Sequence, residues 1–207
     1  MITFPNPYAP PVDPVANEAP PPAPMALRPP SDALKWGYFT VSAVGMAVQI
    51  VLLFASVALD LSEATAPEYG PALGLVVSAL GAASSATLVA SLIISLMWLH
   101  GCWQMVPLSM RKAVSPRACI AYFFIPCFNA YWIFASQLRL CTAMDAMLAY
   151  VGSRRRAPRG LAIAACTLHF IPWLNRLVAP VLWFLYMHQM DAARVEIAEA
   201  SQRGQGA

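Results

Sequence analysis

His100 and Cys102 lie two residues apart, and Cys166 and His169 lie three apart. Imidazole and thiolate are the side chains that hold zinc-like metals, so either pair could begin a site. Neither pair is completed. No third ligand follows His100 at helical spacing, and Asp191 is distant in sequence from Cys166 and His169. The five cysteines, at 102, 119, 127, 141 and 166, contain no CxxC and leave an odd one over. Most stand in apolar runs, where Cys acts as a small hydrophobe. Asp145 and Asp191 occupy matching places in an internal repeat and could form a paired acid site. The favoured reading of each is an ordinary solvated or salt-bridged Asp in a helix extension past the membrane. The chain carries no GxSxG, HExxH, Walker or glycine-rich phosphate loop. No metal, cofactor or enzymatic reaction is expected from these residues.

The elements that carry them are written in lipid-compatible sequence. Of 207 residues, 59% are hydrophobic and 11% charged. A soluble domain carries roughly 25% charged residues, so this chain lacks the polar surface to face water on every side. The net charge of +3 is too small and too scattered for a nucleic-acid binder. The expected class is all-α: a polytopic membrane bundle over residues 34–200, with segments near 34–61, 71–100, 116–151 and 160–200. Met1–Ser31 holds 11 of the 19 prolines, three times as PxxP, and lacks the basic start and apolar stretch of a signal peptide. Residues 1–33 are therefore expected to be a disordered tail, part polyproline II, that could dock a PPII-binding partner or act only as a spacer. Residues 201–207 are a second expected tail.

Segments 34–61 and 71–100 are each long enough to cross a ~30 Å hydrocarbon core. Gln49 falls near mid-membrane, where a bond to a neighbouring helix is its expected fate. The connection Asp60–Gly70 reads as an acidic loop. In the second segment Gly74, Ser78, Ala82 and Ala86 recur at every fourth residue, a stripe that would let a neighbour or a second copy approach closely. Ser115–Pro116 is a helix start, with Ser as N-cap and Pro at the first position.

FIPCFN at Phe124–Asn129 returns as FIPWLN at Phe170–Asn175, forty-six residues on, and Met144–Ala146 returns at the same offset as Met190–Ala192. Residues 118–146 and 164–192 thus read as a degenerate repeat: apolar run, FIPxxN, apolar run, MDA. Pro126 and Pro172 deprive a preceding carbonyl of its helical donor, so each unit must kink or turn there. Asn129 and Asn175 offer groups that can satisfy freed backbone. Ten residues from Ser115 to Phe124 give ~15 Å of helix, about half the hydrocarbon core. Each unit could therefore be a re-entrant hairpin or a kinked spanning helix. Charge favours the hairpin. Arg154, Arg155, Arg156 and Arg159 would otherwise lie opposite Arg111 and Lys112, against the positive-inside tendency. Arg176 is the awkward residue, since a tip would bury it unless it is paired or meets water. The expected location is the inner or plasma membrane, with the N-terminus and basic loops cytoplasmic. At the far end of the chain, Glu199 and Arg203 are spaced as an i, i+4 pair.

The stretch LMWLHGCWQMVP, followed by SPRACIAYFFIPCFNAYWIFASQLRL, resembles small bacterial membrane proteins of a domain-of-unknown-function family. Their hallmark is a Trp-rich helix end, a short basic loop and an FIPxxN-aromatic segment. In a related layout a GYF-like domain precedes the same membrane part; here a proline-rich tail stands instead. The likeness spans roughly Ala26–Glu199 and is specific around Trp98–Leu138. It implies a four-segment membrane domain and no reaction. The function expected is a non-enzymatic membrane scaffold in the lipid bilayer. The alternative is a small transporter or channel subunit built on broken helices, with Gln49, Asn129, Asn175 and Arg176 as its polar lining. A polar cavity around the two asparagines would favour transport, and a dry bundle the scaffold.

Overall fold

The computed structural model of the chain describes residues 32–65, 70–111 and 114–205. The proline-rich tail to Ser31, Glu68 and Lys112 lie outside them, as do the side chains of Glu63 and Arg176. Among the described residues all regular structure is helical. Helix α1 is Asp32–Thr65 and α2 is Gly70–Met105, two helices long and apolar enough to cross a membrane. The sequence placed Asp60 and Glu63 in a loop, but α1 runs through both. Ser62, Glu63 and Ala64 contain no breaker, so the helix continues towards Pro67. Helix α2 ends before Pro107, which disfavours helical backbone at Val106. Arg111 caps it, donating to the carbonyls of Gln104 at 2.7 Å and of Val106.

Small and hydroxylated residues let α1 and α2 pack as an antiparallel hairpin. Ser84 bonds the Gln49 amide, and the Ser42 and Ser91 hydroxyls meet at 3.3 Å. Gly45 faces Thr87 so closely that an added Cβ would lie 2.8 Å from Oγ1. The expected stripe is not this contact: Ser78, Ala82 and Ala86 are exposed. Two residues along a helix turn by about 200°, so Ser84 and its hydroxylated neighbours occupy the opposite face.

Each FIPxxN unit is a helix that breaks and returns. In the first, the Ser115 hydroxyl accepts from the Ala118 amide at 3.1 Å and starts α3, Pro116–Ala121. A 3-10 turn, Tyr122–Phe124, leads to the break, where Ile125 is extended, as the residue before proline should be. Cys127 then takes a positive φ of 62°, and α4 runs Phe128–Tyr150. The chain folds back on itself, because the Trp132 indole N–H donates to the Cys119 carbonyl at 2.8 Å across the break. The second unit has α5, Arg159–His169, then extended Ile171 before Pro172, then α6, Pro172–Leu177. A further break, not expected from sequence, separates α6 from α7, Ala179–Gln205. Pro180 explains it: proline has no N–H for the carbonyl of residue 176, and its ring crowds that position. Phe134 holds the matching place in the first unit. Residues 201–205 continue α7 rather than forming a tail.

Helices α4 and α5 run antiparallel. Arg159 donates to Thr142 at 2.8 Å at one end, and the Cys166 thiol reaches the Ile133 carbonyl at 3.7 Å towards the other. Arg155 pairs with Glu196 at 3.1 Å, which brings the base of α7 alongside. Both tips therefore point the same way, and the loops with Arg111 and with Arg154–Arg156 share the base. The densest core lies at that base, where Cys102, Trp103, Met144, Leu148, Met190 and Ile197 are fully buried or nearly so. Large exposed apolar side chains gather on the hairpin (Trp36, Phe54, Leu92) and round the tips (Phe124, Phe170, Leu185).

Candidate functional site

The two repeated asparagines line one cavity. Between the α1–α2 hairpin and the two tips lies a cavity of about 200 Å³, lined by Gln49 and Ser84 on one side and by Asn129, Gln137, His169 and Asn175 on the other. Three repeat-related pairs contribute to it: Asn129 with Asn175, Phe123 with His169, and Gln137 with Trp183, each forty-six residues apart. The asparagine side chains do not patch the broken backbone, as the sequence suggested. Their main-chain N–H groups do so, Asn129 to the Ile125 carbonyl at 3.0 Å and Asn175 to that of Ile171 at 2.7 Å. Both side-chain amides are thereby left for the cavity.

Much of the polar lining is engaged. Gln49 is bonded to Ser84, the neighbouring-helix bond expected of it, and the Tyr186 hydroxyl donates to Gln137 Oε1 at 2.9 Å. His169 is within hydrogen-bonding reach of Asn175. Among the described residues the Asn129 amide has no hydrogen-bond partner. Amides, hydroxyls, a phenol and one imidazole supply the polarity. No carboxylate, Lys or Arg is among the described lining residues. Most of the wall is apolar, including Val41, Leu88, Leu92, Leu99, Phe123 and Trp183.

Below the cavity floor a second polar cluster ties α2 to α7. Asp191 Oδ1 accepts from the Trp98 indole at 3.0 Å and from Arg194 at 2.9 Å, and Arg194 also reaches the Met105 sulfur at 2.8 Å. Asp191 Oδ2 and the Trp103 indole N–H are buried without partners among the described residues. The matching carboxylate, Asp145, accepts from the Ala157 amide at 2.7 Å and so pins the arginine loop. Each carboxylate is thus committed to its own structural partner. Burial pushes the Cys141 thiol, at the base of α4, above its ordinary pKa. Cys127 is exposed at a tip, whereas the other four cysteines are buried. Among the described residues, no three His, Cys, Asp or Glu side chains gather into a possible metal site. Arg203 reaches the Glu199 carbonyl at 3.4 Å, the backbone rather than the carboxylate.

Sequence reasoning named Gln49, Asn129 and Asn175 as cavity lining but missed Ser84, Gln137 and His169. The repeat offset carries a signal for two of them, since it relates Gln137 to Trp183 and His169 to Phe123. No family model matches the chain, and neither curated proteins nor solved structures include a match to it.

Proposed function

We propose that the chain is a non-enzymatic, multi-pass membrane protein that binds a small molecule within the inner half of the bilayer. On this reading α1 and α2 span the membrane, and the two broken units are re-entrant, dipping from the cytoplasmic side. Several observations support it. The α1 and α2 sequences are apolar over more than the ~20 residues a crossing needs. Exposed apolar side chains surround the hairpin and both tips. Trp36 and Phe39 pack against Phe184 in tilted contacts, at ring distances of 5.6 and 4.6 Å, where aromatic rings suit an interface. From Arg159 to His169 α5 has 11 residues, ~16 Å, about half the hydrocarbon core. The base, with its arginines, then faces the cytoplasm of an inner or plasma membrane. The likeness to the domain-of-unknown-function family fits this layout.

The observation that carries the functional reading is the cavity shared by Asn129 and Asn175. Broken helices that meet round polar groups at membrane mid-depth are the architecture of transport proteins. A small carrier or transporter subunit is therefore favoured over a bare scaffold. A scaffolding role for the cytoplasmic base keeps one observation of its own. Arg154, Arg155 and Arg156 are exposed there on a loop fixed by Asp145, and Arg159 is exposed at the start of α5. The test is to extract the detergent-purified protein with organic solvent and analyse the extract by mass spectrometry. The unaltered chain should retain a compound that a cavity-filling Leu92→Trp variant of equal stability loses. Identical extracts from both would overturn the reading.

A further inference from the structure

Burial changes along the cavity from one end to the other. At the base end Tyr38, Trp98, Leu99, Gln137 and Met187 are buried and close it. At the tip end Leu88, Leu92, Asn129 and His169 are exposed. The cavity is therefore shut towards the arginine-bearing base and open beside the tips. This inference rests on the membrane reading, in which the tips lie in hydrocarbon. Whatever fills such a cavity arrives from lipid, not from the cytosol.

The lining limits the chemistry of that occupant. Among the described lining residues a carboxylate, phosphate or ammonium would meet no Lys, Arg or carboxylate as counter-charge, and an unpaired charge out of water is strongly disfavoured. A small polyol would face a wall whose exposed area is mostly apolar. The Asn129 amide, without a partner among the described residues, presents both donors and an acceptor at the open end. A hydroxyl donates and accepts from one atom, so it satisfies an amide with a single contact. We propose that the cavity is a lateral binding site for an uncharged, lipid-dissolved amphiphile with a hydroxyl head. The hydroxyl sits at Asn129 and the His169–Asn175 pair, and the alkyl body lies along Leu88, Leu92 and Phe123.

Trp98 and Trp183 line the cavity and serve as native reporters. The full chain in neutral-lipid vesicles is titrated at pH 8 with 9,10-dibromooctadecanol, whose bromines quench indole at contact. The expected result is a saturable quenching component that excess octadecanol reverses and Trp183→Phe diminishes. Dibromostearate, the charged counterpart, should give only the non-saturable quenching of bilayer partitioning. Asn129→Leu alters an exposed tip residue and should keep the fold while raising half-saturation about five- to tenfold, the worth of one hydrogen bond. Saturable quenching by dibromostearate at equal concentration would overturn the uncharged-head assignment while leaving the cavity a ligand site. So would a charged or water-soluble compound in the solvent extract. Absence of saturable quenching by either probe would overturn the lateral site itself. An Asn129→Leu titration identical to that of the unaltered chain would overturn the role given to the amide.

Discussion

Asp191→Ala should be among the most damaging single substitutions in the chain. Asp191 and Arg194 are only 3% and 7% exposed. Removing the carboxylate strands the Arg194 guanidinium in the core and takes the acceptor from the Trp98 indole. Breaking a buried pair from one side costs about 3–5 kcal/mol, most of it the penalty of the charge left behind. That is a large share of a typical folding stability of roughly 5–15 kcal/mol. Asp145→Ala, at the matching repeat position, removes one bond to one backbone N–H, worth about 1 kcal/mol. The two sites should therefore differ by a factor of about three to five despite their common motif. The assay is equilibrium unfolding in mixed micelles, followed by tryptophan fluorescence, for both single variants and for Asp191→Ala with Arg194→Met. The double variant should be more stable than Asp191→Ala alone, because it removes the stranded charge. Equal, small effects at Asp145 and Asp191, or a double variant as weak as the sum of its parts, would refute the reasoning.

Gly45→Ala should destabilise the hairpin by about 1–3 kcal/mol, since the new methyl meets a Thr87 hydroxyl already held by the Ser84 carbonyl at 2.8 Å. Adding Thr87→Ala should recover most of that loss in the same unfolding assay. Ala82→Leu and Ala86→Leu should leave the stability of the single chain within about 0.5 kcal/mol, because both positions are exposed. If the stripe with Gly74 and Ser78 instead joins two copies, the same variants should shift detergent-corrected mass by light scattering from oligomer to monomer. Trp132→Phe should cost about 1 kcal/mol by removing the bond that closes the first tip onto the Cys119 carbonyl.

Backbone chemistry was the most legible part of the sequence. Ser115–Pro116 capped its helix as read, and Pro126 and Pro172 marked two breaks, because capping and the missing proline N–H act locally. The break before Ala179 was missed, since Pro180 lay in what read as a continuous apolar helix. Periodicity found the small residues of α2 but not the face that meets α1. Gly74, Ser78, Ala82 and Ala86 repeat more regularly than Ser84, Thr87 and Ser91, yet only the second set meets α1. Helical spacing gives a face, not its neighbour. For the cavity, the duplicated asparagines were the usable sign. Ser84 was not legible, because its role depends on how the hairpin packs. Asp191 read as an ordinary carboxylate at a helix end for the same reason, since Trp98 reaches it from 93 residues away in the chain.

The re-entrant first unit is tested most directly by where its two ends lie. Ser109 precedes α3 and Ser153 follows α4, so a hairpin keeps both on one face of the membrane and a spanning helix separates them. Each is replaced by Cys in a Cys127→Ser background, in which the four remaining cysteines are buried. An impermeant maleimide is then applied to right-side-out and to inverted vesicles. Ser109→Cys and Ser153→Cys should both label in inverted vesicles and neither in right-side-out ones. Labelling of the two positions from opposite faces would contradict it, and the Pro126 break would then be a kink in a helix that crosses the bilayer.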